Sequence, residues 1–278
     1  MVMPESPSAG SSHADSRLGP LFARCRDENR SALIGYLPVG YPDLPQSLDA
    51  MRTMVEAGCD IIEVGVPYSD PVMDGPTIQD AADQALRSGV RVRDVFAAVE
   101  AITDAGGRAV VMTYWNPVLQ YGVDTFARDL AGAGGLGLIT PNLIPEEAAS
   151  WIEASHAHDL DRIFLVAPSS TEERLAMTLE ASSGFVYAAS TMGVTGARDS
   201  VSTMAPELCA RIRLHSDIPI GVGLGVRNKK QAAEIAGYAD GVIVGSALVS
   251  AVAEGGDALR ALTEELASGV RSASAVHS

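Results

Sequence analysis

The chain has 278 residues, 47% of them hydrophobic and 20% charged, with a formal net charge of −15. That length allows one large α/β unit or two small ones, either with a substantial core, and the acidic balance argues against nucleic acid or a membrane surface as partner, since both are bound through basic patches. Lys229 and Lys230 are the only lysines, and Cys25, Cys59 and Cys209 are scattered at spacings that suit neither a zinc site nor a disulfide framework, so a reducing, cytoplasmic compartment is expected.

Residues 1–16, MVMPESPSAGSSHADS, lack the basic and apolar regions of a secretory signal. Their Ser, Pro, Gly and Ala content predicts a disordered tail. No apolar run reaches membrane-spanning length. Short runs rich in Val and Ile then recur: SALIGYLP, DIIEVGVP, RAVVMTYW, GLGLIT, RIFLVAP, GFVYAAS, PIGVGLG and GVIVGSAL. None alternates cleanly between apolar and polar, so each reads as a strand buried on both faces, as in a parallel sheet covered by helices.

Between them, Leu44, Leu48, Met51, Met54 and Val55 trace one face of a helix that ends near Gly58. Val92, Val95, Phe96, Val99 and Ile102 trace another that stops at Gly106 and Gly107. The step from the second strand to the third is the longest and has room for an extra helix, roughly Thr77 to Leu86. Eight strand–helix units over residues 17–270 fit a single α/β domain, a (β/α)8 TIM barrel with an extra helix after strand two. An open doubly wound sheet is the alternative. Residues 271–278 read as a frayed tail.

In such a barrel the chemistry lies at the C-terminal strand ends. Glu63 interrupts the otherwise apolar second strand, and burying an unpaired carboxylate is costly. It is therefore either a hydrogen-bonded structural group or a carboxyl with a raised pKa, suited to proton transfer near neutral pH. Asp74, on the following loop, is a candidate to stay ionised and stabilise positive charge, although Asp-Gly-Pro is also a common turn. Tyr187 in the sixth strand either orients one of these carboxylates or is a core aromatic.

GVGLGV (221–226) and VGSAL (244–248) are glycine-rich exits from successive strands, each opening into a helix. Backbone N–H groups there suit a phosphate, with Gly223, Gly225, Gly245 and Ser246 as candidates and Gly196 from the preceding loop. The alternative is that these glycines allow tight βα turns or close helix packing. GAGGLG (132–137) fits the dinucleotide-binding string, but it follows a helix and precedes a strand, the reverse of the required order. No lysine lies on a strand to form a Schiff base. His156, His158 and His215 lie on helical or loop stretches; His156-Ala-His158 could in principle ligate a metal, but its place between strands four and five suggests solvent exposure, so no metal site is expected. Proton chemistry by carboxylates is what the inventory leaves.

IEVGVPYSDPVMDGPTIQ closely resembles the signature of the tryptophan synthase alpha chain family. LIGYLPVGYPD, VVMTYWNPVLQYG, GLITPNLIPEE, IFLVAPSST, YAASTMGVTGAR, GVGLGV and VIVGSALV follow in the expected order over nearly the whole barrel. The resemblance implies a lyase of tryptophan biosynthesis that splits indole-3-glycerol phosphate into indole and glyceraldehyde 3-phosphate by a retro-aldol route, with no cofactor in this chain. It maps the family's catalytic glutamate to Glu63, its aspartate to Asp74 and its active-site tyrosine to Tyr187. Phosphate-binding amides map to Gly196, Gly225, Gly245 and Ser246, while Tyr114, Thr195 and Gly223 fall in the pocket and lid. It further implies docking on a pyridoxal-phosphate-bearing beta chain in an alpha2-beta2 tetramer, with Asp70 and Pro71 near the interface. Met73 and Leu224 depart from the family pattern without removing a catalytic group. Two other readings stay open: another phosphate-binding barrel, such as an isomerase of a phosphorylated sugar–amine, and a catalytically quiet subunit that binds a phosphorylated ligand and regulates a partner.

Overall fold

A computed structural model of the chain describes residues 16–189, 204–223 and 225–272. The apolar runs form one parallel sheet of nine segments: β1 Ala32–Pro38, β2 Ile61–Gly65, β3 Ala109–Met112, β4 Gly137–Ile139, β5 Asp161–Ile163, β6 Leu165–Val166, β7 Val186–Ala189, β8 Ile220–Gly223 and β9 Gly241–Val244. Their order is β5-β4-β3-β2-β1-β9-β8-β7-β6, so the two ends of the sheet are β5 and β6. Only Phe164 separates those ends in sequence. The Ile163 carbonyl accepts from Thr140 N at 3.3 Å on one side, and the Phe164 carbonyl accepts from Tyr187 N at 3.0 Å on the other. Residues 161–166 thus act as a single strand position whose first half pairs with β4 and whose second half pairs with β7. Eight positions close into a barrel.

Closure explains why the runs lack alternation. Ile34, Ile61, Val110, Ile139, Ile163, Phe185 and Ile243 form one buried cluster inside the barrel. Their neighbours Leu33, Ile62, Val111, Leu138, Phe164, Val186 and Val242 belong to a second cluster, packed under the helices. Each strand therefore buries one face against the interior and the other against the helical shell. A short helix, α1 (Gly19–Asp27), closes the bottom with Leu21, Phe22 and Cys25, and the Phe22 ring lies 5.8 Å from that of Phe185.

Helix α2 (Leu44–Glu56) starts where the Asp43 carboxylate accepts from Gln46 N at 2.8 Å, an N-cap, and gives way to Gly58 at φ +110°. The long step from β2 to β3 contains two helices, α3 (Pro76–Arg87) and α4 (Asp94–Asp104), as the spacing predicted. One boundary differs from expectation. The third strand stops at Met112, and Trp115 opens α5 (Trp115–Tyr121) instead of ending a strand. Pro117 sits in the first turn of that helix, where its missing N–H costs no intrahelical bond, and Asn142 Oδ1 accepts from Trp115 N at 2.9 Å.

After α5, α6 (Val123–Gly132) ends within GAGGLG and β4 begins at Gly137, so that string is a helix stop and turn. The shell is completed by α7 (Ala149–Ala157), α8 (Glu172–Ala181), α9 (Met204–Arg213), α10 (Lys229–Ala236), α11 (Ser246–Glu254) and α12 (Gly256–Ser272). Among the described residues no helix is long and apolar enough to cross a membrane.

Candidate active site

Because side chains alternate along a strand, the interior residues fix which later ones also point inward. Ile61 is inside, so Glu63 and Gly65 are too. The same parity carries Ile34 to Tyr36, Val110 to Met112, Ile163 to Leu165, Phe185 to Tyr187 and Ile243 to Gly245. Register then brings them together: Tyr36 pairs with Glu63, Gly65 with Met112, and Leu165 with Tyr187. The barrel mouth is a layer of one carboxyl and two phenols beside Met112 and Leu165, standing on an apolar floor.

Two strand-end glycines make room for the phenols. A Cβ on Gly65 would lie 2.3 Å from Tyr36 Oη, and one on Gly223 would lie 2.5 Å from Tyr187 Oη. Gly223 is therefore glycine because Tyr187, on the neighbouring strand, occupies its side-chain space. Gly225 differs: its φ of +66° is the left-handed region that glycine tolerates.

Glu63 is 1% exposed, and its Oε2 has no hydrogen-bond partner among the described residues. Burial, and secondarily the nearby Asp74 carboxylate, push its pKa up to about 8. A structural carboxylate would carry hydrogen bonds to offset its desolvation, and Oε2 has none within the described residues.

Asp74 stands just before α3, with Gly75 as N-cap and Pro76 as first helical residue. The turn chemistry of Asp-Gly-Pro is thus used as well. Partial burial raises its pKa, and the nearby Tyr114 hydroxyl opposes that rise. Tyr114 Oη also accepts from the amides of Val72 and Met73, at 3.1 Å each, and its ring lies 5.2 Å from that of Tyr68. Burial together with Asp74 and Glu63 raises the phenols of Tyr36 and Tyr187 well above their ordinary range. At the loop apex Asp70 is exposed and accepts from Ser69 Oγ at 2.6 Å, Pro71 is half-buried and Val72 is 73% exposed.

Across the mouth, Gly245 is the N-cap of α11 and Ser246 its first residue, with no side chain capping that end. First-turn N–H groups lack intrahelical partners and attract anions, and Gly225 lies on the neighbouring exit from β8. Gly196, Thr195 and Leu224 lie outside the described residues. Lys229 and Lys230 are exposed at the start of α10. His158 pairs with Asp124 and His215 with Glu172 on the outer shell. Among the described residues no group of three or more His, Cys, Asp or Glu is placed to hold a metal ion.

Tyr36 and Gly65 were not singled out from sequence. The available signal was the register of two neighbouring strands, since Tyr36 stands four residues into SALIGYLP's strand at the height of Glu63.

The family model for the tryptophan synthase alpha chain matches residues 22–276. The chain is 78% identical over 258 residues to the tryptophan synthase alpha chain of Nocardia farcinica, covering 93% of this chain and 97% of that one. It is 75% identical over 256 residues to that of Mycobacterium tuberculosis, covering 92% and 95%. Among solved structures, the Mycobacterium tuberculosis tryptophan synthase matches with a TM-score of 0.90 at 74% identity, covering 92% of this chain and 98% of that one. The tryptophan synthase A-subunit of Pyrococcus furiosus matches with a TM-score of 0.78 at 31% identity, covering 85% and 98%.

Proposed function

The chain belongs to the tryptophan synthase alpha chain family, and on that premise we propose that Glu63 and Asp74 carry out its lyase reaction, the cleavage of indole-3-glycerol phosphate to indole and glyceraldehyde 3-phosphate. The observation that carries the assignment is the buried Glu63 carboxyl, whose pKa of about 8 keeps it protonated near neutral pH.

Breaking the carbon–carbon bond requires indole to leave as a neutral ring. Glu63 first gives its proton to C3 of the indole, placing positive charge on the ring nitrogen. Asp74 accepts the indole N–H and stabilises that charge. The Glu63 carboxylate then takes the proton of the adjacent glycerol hydroxyl. As the aldehyde forms, the electrons of the broken bond return to the ring, so Glu63 ends as it began. Tyr36, Met112, Leu165 and Tyr187 supply apolar and aromatic walls for the ring, with Tyr114 beside Asp74. The substrate phosphate is assigned to the backbone of Gly225, Gly245 and Ser246, together with Gly196 by family resemblance, and Thr195 to the lid.

The partner is a beta chain, with an alpha2-beta2 assembly as the expected stoichiometry and the exposed Asp70-Pro71 apex as contact. Pyridoxal phosphate belongs to that partner, since a Schiff base needs a sheltered lysine and Lys229 and Lys230 are both exposed. A cytoplasmic setting agrees with three buried free cysteines.

The test is indole release from indole-3-glycerol phosphate, with and without a beta chain, by the wild type and Glu63→Gln. Gln keeps the shape and removes the titrating proton, so release should fall about 10²–10⁴-fold. A folded variant that stays active would move the proton donor elsewhere. A wild type that is silent even with the beta chain would favour the regulatory-subunit alternative.

A further inference from the structure

The described residues include two buried arginines with opposite surroundings. Arg30, 8% exposed, has its fork filled by the Asp60 carboxylate and its Nε paired with Glu28. Arg162, 6% exposed, reaches only neutral acceptors: Nε donates to the Ala181 carbonyl at 3.0 Å and Nη1 to Ser155 Oγ at 3.2 Å. The Ser155 hydroxyl has given its own proton to the Ile152 carbonyl at 2.8 Å. A guanidinium carries five N–H donors, so three are left without an acceptor among the described residues. A side chain with this charge is seldom buried unless it is paired.

Strand parity explains why no carboxylate pairs with it. Ile163 points into the barrel, so Arg162 points toward the helical shell while its neighbour Asp161 points into the barrel floor. There Asp161 Oδ2 accepts from Ser16 Oγ at 3.0 Å and from Leu18 N at 2.9 Å, which ties it to the start of α1. Asp159 is exposed and pairs with Arg17 at 2.9 Å. A cavity of about 160 Å³ lies among these groups, lined by Arg162, Ser155, Ser183, Asp161, Ser16 and Arg17. Its remaining titratable groups, His156 and Asp159, are both exposed. The volume is several times the roughly 30 Å³ that one water takes in the liquid.

We propose that this cavity is a binding site for a small oxyanion, a phosphate or carboxylate group whose oxygens accept from the Arg162 guanidinium. The planar fork of an arginine suits such a ligand, because it meets two oxygens at once. The one charge that eases the burial of Arg162 is Asp161, and burial pushes that carboxyl itself toward its neutral form. The site is separate from the barrel mouth. Arg162 stands near the N-terminal end of β5, whereas the substrate phosphate is assigned to the exits of β8 and β9. The inference therefore does not depend on the lyase reading.

Selenate, an oxyanion of phosphate size, can be located in crystals of the full chain by its anomalous scattering. A peak beside Arg162 is expected, whatever is found at the mouth. Thermal melts with inorganic phosphate or acetate, against sodium chloride of equal ionic strength, give the solution counterpart. The readout is the rise caused by the anion, so a variant's own baseline does not enter. Arg162→Met keeps the apolar stem and removes the charge. At ten times the dissociation constant its rise should fall short of the wild type's by about 2–5 °C, since phosphate bound at the mouth is common to both proteins. A difference with phosphate alone identifies a phosphate ligand, and one with acetate alone a carboxylate. No selenate beside Arg162, an equal rise in both proteins, or the same difference with chloride overturns the proposal. A crystal peak with no difference in the melts marks binding at crystal concentration only, and overturns it too. Should Arg162→Met not fold, Arg162→Gln, which retains an N–H donor without the charge, replaces it in the melts.

Discussion

Tyr36 on β1 and Glu63 on β2 are register partners in the parallel ladder, and both side chains point into the barrel mouth. The phenol covers the end of β2 because Gly65 leaves it the space, with Tyr36 Oη only 2.3 Å from where a Cβ would stand. Glu63 is thus walled by an aromatic ring where water would otherwise reach it. The raised pKa follows from burial: the charged form loses hydration, and among the described residues no cation replaces it.

That shift makes stability depend on pH with a definite sign. The native Glu63 holds its proton up to about pH 8, against 4.5 for a free glutamate. Between those values the native state binds the proton and the unfolded chain does not, so Glu63 removes stability as pH rises, by up to about 1.4 kcal/mol per pH unit. Below the lower value the contribution is fully favourable, and above the upper one the loss is complete. Glu63→Gln, which cannot titrate, should show a flatter profile and be relatively more stable at pH 8 than at pH 5. Urea unfolding of both proteins at those two pH values measures it, and parallel profiles would rule the shift out.

Gly223 and Tyr187 form a second steric pair, on β8 and β7. A Cβ at Gly223 would meet Tyr187 Oη at 2.5 Å, Cζ at 3.1 Å and Cε1 at 3.2 Å. Gly223→Ala should therefore cost about 1–3 kcal/mol of stability and displace the phenol into the mouth, lowering indole release. Adding Tyr187→Phe deletes the atom in closest conflict and leaves two contacts that small shifts can relieve. The double variant should recover a large part of both stability and activity. Additive losses in a thermal-melt and activity cycle would show that the two residues do not compete for one space.

Glu63 was legible in the sequence because a charge inside a Val/Ile run contradicts the burial that the run implies. The extra helix was legible from a connection too long for one helix. Tyr36 was not, since a tyrosine in an apolar strand is unremarkable until register sets it beside a carboxyl. GVGLGV could not be parsed either. Gly223 and Gly225 look alike in the string, yet one yields space to a ring and the other takes a positive φ. The division of RIFLVAP at Phe164 is equally invisible, because it depends on which neighbour each half pairs with. The early end of β3 was hidden by Tyr114 and Trp115, whose strand propensity is overridden by the first turn of α5.

At the opposite end of the barrel, Arg30 and Asp60 form a buried bidentate pair, with Nη1–Oδ2 at 2.9 Å and Nη2–Oδ1 at 3.0 Å. Both residues are 8% exposed, and Asp60 Oδ2 also accepts from Leu33 N at 2.9 Å. The pair thus ties the residues before β1 to those before β2. Asp60→Asn keeps the shape and an acceptor for Leu33 but leaves the Arg30 guanidinium without its main counter-charge, with only the more exposed Glu28 at 2.6 Å. Breaking such a pair from one side costs about 3–5 kcal/mol. Adding Arg30→Met removes the stranded charge, so the double variant should be more stable than Asp60→Asn alone. Because the pair lies at the N-terminal ends of the strands, away from the mouth, kcat of the folded variants should stay near wild type. Urea denaturation and indole release measured on the same preparations test both halves, and a double variant less stable than the single one would show that the pair's hydrogen bonds, and not its charge balance, hold this end together.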